Sequence, residues 1–322
     1  MAATKRWRLT AAWRVLRLAV VITTAVLLAF LSLYLWWNAE PTVPELRAQA
    51  GLVGKRELLV GVNDDIPNLS YRDRDKEQFS GFDIEISYMI AAYLGFRPDQ
   101  VRFLVVDNED RESMRARDDK GHYWTLDLVV ASFSITKDRE AKPQVSFSDP
   151  YLRTELSVVT KKGYEGTIQS LEDLRGKKVC TLTTSTANTP LADAGVIEFD
   201  RAMISVCVDG VLDGRFEAVS SDAAVLAGFV AKNSDQLMFH DIGYDEQELW
   251  GVNAGDNEAL RKLVNLSLCQ SRYDPNDRRW EMAFETYLRL GVKGQDIAVD
   301  EQPKVSPIKV RAWPGTLPDA CH

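Results

Sequence analysis

Histidine is the scarcest chemistry-bearing residue in this chain: His122, His240 and His322 are the only three among 322 residues. None stands beside a nucleophile or an acid pair in a recognisable order, so general acid–base catalysis has little to work with. Four cysteines, Cys180, Cys207, Cys269 and Cys321, are scattered with no CxxC pair and no neighbouring histidine. That spacing excludes the usual zinc ligand sets, and no metal or cofactor is expected. Acidic residues are missing from the first 37 positions, where Lys5, Arg6, Arg8, Arg14 and Arg17 give +5. The whole chain is −8, so the rest is −13. A body that acidic argues against a nucleic-acid partner, though not against an anion held by a local site. Internal repeats and low-complexity runs are absent too.

What is present begins with a membrane element. Leu18 to Trp37 runs 20 residues without a charge, matching the hydrocarbon thickness of a bilayer. Tyr34, Trp36 and Trp37 lie at its far end, where aromatic rings favour the headgroup region. The basic residues before it place 1–17 in the cytoplasm and everything from Asn38 outside, as a single-pass protein of the cell membrane. Trp36-Trp37-Asn38-Ala39-Glu40 is a poor cleavage site, which predicts an uncleaved anchor. Residues 38–55, with Pro41, Pro44, Gly51 and Gly54, read as a linker holding a short helix at Glu45–Ala50. Outside the cell an even cysteine count favours disulfides. Three connectivities are open; position favours Cys180 with Cys207 and Cys269 with Cys321.

The exported body, 45% apolar and 27% charged over the whole chain, has ordinary globular composition. Its centre is the stretch Leu126 to Tyr151. Leu126 to Ala131 is too short for a helix and reads as a buried strand. That strand delivers Ser132, Ser134 and Thr136 at alternate positions, so their hydroxyls emerge on one face. A charged turn with Arg139 follows. Hydroxyls beside a planar guanidinium suit a carboxylate, which the fork can grip with two bonds.

The strings Ser132-Phe133-Ser134-Ile135-Thr136, Asp138-Arg139 and Val145-Ser146-Phe147-Ser148-Asp149-Pro150-Tyr151 together resemble the signature of polar amino-acid solute-binding proteins, the periplasmic-binding-protein family that feeds ABC importers. Gly81-Phe82-Asp83-Ile84-Glu85 resembles the family's most recognisable short motif, in which Gly81 turns the chain and Asp83 caps a helix running through Leu94, with Gly95 closing it. The loop Asn63–Tyr71 after the first strand resembles that of actinobacterial glutamate-type members and makes Asp65 a ligand candidate. Arg111, after the strand Val101–Val106, matches the arginine that meets a side-chain carboxylate in acidic-amino-acid binders, although the usual proline is missing. Leu212 to Gly228 is similar to the segment whose aspartate, here Asp222, pairs with an α-ammonium; a helix N-cap is its bland alternative. Ser185 and Thr186 lie in the loop that closes over the ligand carboxylate, where a helix start offers donors.

The resemblance implies a two-lobed α/β clamshell of the periplasmic-binding-protein type II. Lobe 1 would hold 56–154 and 250–292, lobe 2 155–249, and 293–322 would form an irregular tail. Strands crossing between lobes are expected at 152–160 and 248–254, with helices at Asn257–Cys269 and Arg278–Leu290. The implied ligand set is Asp65, Arg111, Ser132, Ser134, Arg139, Ser185, Thr186 and Asp222. The implied function is capture of glutamate, aspartate or glutamine for an ABC permease. A sensor reporting amino-acid levels to a signalling partner is the alternative, favoured by the lack of the lipid-attachment cysteine common in the family. An enzyme on the same fold, a dehydratase or murein-cleaving relative, is disfavoured by the histidine shortage.

Overall fold

The apolar run Leu58–Val62 becomes the central strand of the first lobe, flanked by Val101–Val105 and Leu128–Val129, all three parallel. Parallel strands bury both faces, and Leu58, Val60, Val62, Leu128 and Val129 are fully enclosed. This computed structural model describes residues 2–37, 39–242, 247–289, 301–311 and 317–322. The carboxyl ends of the three strands face one edge, where the loops beginning at Asn63, Val106 and Val130 gather.

A small antiparallel sheet, Asp65–Ile66, Ser70–Asp73 and Gln78–Ser80, leads to Gly81. Its φ of 129° and the Leu69 carbonyl, 2.3 Å from where a Cβ would sit, require glycine there. The chain then enters the helix Phe82–Leu94, closed by Gly95 in the left-handed region as expected. This helix buries Phe82 against Trp280 and Phe284, with ring centroids 5.9 and 6.4 Å apart.

The second lobe carries a six-stranded sheet. Ile197–Arg201, Lys178–Leu182, Ala218–Asp222, Leu152–Lys161 and Leu237–His240 lie in that order, and Gln247–Trp250 also pairs with Leu152–Lys161. The 10-residue strand Leu152–Lys161 serves both lobes. Its far half pairs with Ala218–Asp222, while Leu152 to Glu155 pair with Trp250 to Gln247. The chain therefore leaves and re-enters the first lobe along one antiparallel ribbon. Bridges from Asn253 to Val129 and to Phe147 fasten the returning strand.

Both favoured disulfides are formed. Cys180–Cys207 ties the strand Lys178–Leu182 to the helix Ile204–Leu212, and Cys269–Cys321 ties the helix Glu258–Tyr273 to the C-terminal turn Asp319–Cys321.

Several boundaries differ from the sequence reading. The strand expected over Leu126–Ala131 is only Leu128–Val129, and Ser132 beyond it takes φ +47°, outside the extended region. The short helix near residue 45 is Val43–Gln49. The helix from Arg279 to Ala283 passes into a π-helical stretch, Phe284–Arg289. Its expected end at Leu290, and 293–300 and Pro314 of the expected tail, lie outside the described residues. Residues up to Thr42 form a separate unit with Lys309–Arg311, comprising the helix Ala2–Trp37 and a bridge from Thr42 to Arg311. Among the described residues no helix is long and apolar enough to cross a membrane. The side chains at 32, 33 and 35–37 of the expected span are outside those described.

Candidate functional site

Arg139 sits in a single helical turn, Lys137–Glu140, started by Thr136, whose Oγ1 accepts the Arg139 amide at 3.3 Å. Fixed in this way, its guanidinium reaches across the cleft. Nη1 donates to the Ser134 carbonyl at 2.7 Å and Nη2 to the Thr184 carbonyl of the second lobe at 2.7 Å. Arg111 follows the turn Asn108–Asp110 and donates from Nε to the Asn108 carbonyl at 3.2 Å. Its Nη1 donates to the carbonyls of Ala131 and Ser132 at 3.2 and 3.4 Å. Both guanidiniums lie over the Phe133 ring, 4.6 and 4.7 Å from its centroid. Among the described residues every direct partner of these two cations is neutral. Burial, then the Arg139 charge, pushes Arg111 down to about 9, still cationic at neutral pH. Burial also lowers Arg139, opposed by Asp222.

Asp222 faces them from the end of the strand Ala218–Asp222. The helix Ala223–Lys232 begins next, yet the Asp222 side chain makes no capping bond. Its Oδ2 instead accepts the Trp250 indole N–H at 2.5 Å, across the ribbon between the lobes. Burial first, then the nearby Glu248, pushes this carboxyl up to about 8, while the Trp250 N–H and the two guanidiniums pull the other way.

Ser132, Ser134, Ser185 and Thr186 line the same cavity as Arg111, Arg139 and Asp222. It is small, about 20 Å³, room for little more than a water molecule. The hydroxyls are not equivalent. Ser132 donates from its amide and its Oγ to Asp83 Oδ2, at 2.9 and 3.0 Å, and Tyr151 donates to Asp83 Oδ1 at 3.0 Å. Asp83 is therefore no helix cap, as the sequence suggested, but the buried support of the loop at Ser132. Burial pushes its carboxyl up to about 6. Ser185 Oγ accepts the Ala187 amide at 3.2 Å.

Asp65 is not brought to this cavity. Its Oδ2 accepts the Ser205 amide at 3.0 Å, and it lines a separate opening of about 480 Å³ with Tyr71 and Lys232. Asn63 was missed. It follows the first strand, lines the cavity, and has a buried Oδ1 without a partner among the described residues. The signal was its place at the strand end, masked by the neighbouring acid pair Asp64-Asp65.

Such a cleft can neutralise a small molecule bearing both signs of charge, with more negative than positive. Comparison with known proteins finds relatives among the solute-binding proteins. Residues 58–276 match the model of the bacterial extracellular solute-binding proteins, family 3. The ABC transporter glutamine-binding protein GlnH of Bacillus subtilis (strain 168) is 28% identical over 240 residues, covering 72% of this chain and 83% of GlnH. The arginine-binding extracellular protein ArtP of the same organism is 29% identical over 218 residues, covering 66% and 78%. An ancestral arginine-binding protein bound to glutamine superposes with a TM-score of 0.62 at 27% identity, covering 72% of this chain and 98% of that one.

Proposed function

The chain belongs to the bacterial extracellular solute-binding proteins, family 3, and from that premise we propose that it captures an acidic amino acid, glutamate or aspartate, as the receptor of an ABC importer. One observation carries the choice of ligand: among the described residues two buried guanidiniums have only neutral direct partners, and the cavity they line holds one carboxyl group, that of Asp222. A buried charge without a counter-ion is costly, so the ligand must bring what the cleft lacks. Two carboxylates and one ammonium supply it.

Arg139 takes the α-carboxylate, with Ser134 and the Ser185–Thr186 loop, giving up the Thr184 carbonyl. Asp222 takes the α-ammonium. Arg111 takes the side-chain carboxylate, and the Asn63 side-chain N–H2 donates toward the same end of the ligand. Capture proceeds by opening and reclosing the lobes, 56–154 with 250–292 against 155–249, about the ribbon of crossing strands. The charge-free run Leu18–Trp37, long enough by sequence for a bilayer, is what would tether the body at the outer face of a membrane. No catalytic step is assigned; GlnH and ArtP are both named as binding proteins.

Titration calorimetry on the full-length chain with glutamate, aspartate, glutamine and arginine tests this. Glutamate or aspartate should bind most tightly, and Arg111→Met should weaken them by on the order of a hundredfold while moving glutamine far less. Arginine as the tightest ligand, or no free amino acid bound, would overturn the reading. The charge-free run Leu18–Trp37, with no cysteine directly after it, supports a second reading, an anchored sensor. Co-purification with a signalling protein instead of a permease would favour it.

A further inference from the structure

Away from the cavity, on one rim of the cleft, three contacts join the lobes within a short stretch of each. Asp65 Oδ2 of the first lobe accepts the amide of Ser205, in the first turn of the helix Ile204–Leu212. The Pro67 carbonyl presses on Gly228 in the middle of the helix Ala223–Lys232, 2.1 Å from where a Cβ would be. The Lys232 ammonium lies 5.5 Å from the centre of the Tyr71 ring. Glycine inside a helix costs about 1 kcal/mol relative to alanine. What that cost provides at 228 is the close approach of the opposite lobe.

Neither helix on this rim is loose. Cys207 ties the first to the strand Lys178–Leu182, and the second begins directly after Asp222. A pull at Ser205 or Gly228 is thus passed to the second sheet and to the carboxyl group that lines the cavity. Asp65 itself does not line that cavity.

We propose that Asp65 is the clasp of the jaw: a positioning residue that holds the lobes shut by accepting the Ser205 amide, with Pro67 seated on Gly228 as its abutment. It sets how tightly the cleft closes on whatever is inside and has no part in choosing the ligand. The affinity consequence rests on the amino-acid-binding reading; the clasp itself does not.

The test has two arms on the full-length chain. Hydrogen exchange without any amino acid should show the Ser205 amide protected in the native protein. Asp65→Ala should speed its exchange by on the order of tenfold, and Gly228→Ala, made on the other lobe, should do the same by wedging the rim. Unchanged exchange at Ser205 in both variants would overturn the proposal. In calorimetry, each variant should weaken glutamate and glutamine by one common factor, on the order of tenfold. A shift in their ratio would overturn it, since Asp65 would then be touching the ligand. Should the native protein bind neither amino acid, the binding reading fails and the exchange arm alone still decides the clasp.

Discussion

Arg139 is held by a carbonyl from each lobe, and its two-pronged geometry matters as much as its charge. Arg139→Ala should remove about 3 kcal/mol or more of binding, since the ligand carboxylate would be left buried and unpaired. Arg139→Lys keeps the charge but not the fork, and calorimetry should find it recovering only part of the loss. Asp222 gives a sharper signature. Its carboxyl group, pushed up to about 8, carries a proton at neutral pH and must release it to meet an ammonium. Affinity is therefore complete above pH 8 and falls as pH drops, by up to about tenfold per unit. The stability of the unliganded protein moves the opposite way. The Asp222 contribution is present below the ordinary carboxylate value and is lost as pH rises through about 8. Titrations from pH 6 to 9 should show the affinity slope, and Asp222→Asn should abolish it.

Elements were legible wherever one local rule sufficed. Gly81-Phe82-Asp83 announced the helix Phe82–Leu94, and Gly95 closed it where expected. The strand at Leu152 was read to within a residue. The reading failed where a tertiary partner overrode the local rule. Asp222 sits at an N-cap and Asp83 one residue inside its helix, and each is turned from capping by distant donors: Trp250 for the first, Ser132 and Tyr151 for the second. No spacing in the chain reports those partners. Ser132 was placed on an alternating face, and its left-handed backbone could not be seen from a serine. The cysteines belong to this scale. The Cys180–Cys207 bridge closes 27 residues and should contribute about 3.5 kcal/mol. A Cys180→Ala, Cys207→Ala double variant should lower the denaturation midpoint accordingly.

For the molecule as a whole, the order of its motifs conveyed the two-lobed architecture, because each motif marks an entry to or exit from a lobe. The cleft was less fully legible. Arg111, Arg139 and Asp222, each delivered by a strand end or the turn beside it, converge on one cavity. Asp65 and Asn63 were confused because they are two residues apart on one loop. Which of them enters the cavity depends on how the loop twists into the small sheet Asp65–Ile66, Ser70–Asp73. Sequence position locates such a loop; only the pairing register tells which side chain turns inward.

The indole of Trp250, fully enclosed and bonded to the Asp222 carboxyl group, gives this jaw a lamp of its own. Any guest that draws Asp222 away alters the electrostatic field on that ring, so occupancy should be readable from the protein's own ultraviolet emission without a dye. A saturable change in intensity or wavelength on adding glutamate, absent in Trp250→Phe, is the expected result; an equal change in that variant would assign the glow to another tryptophan.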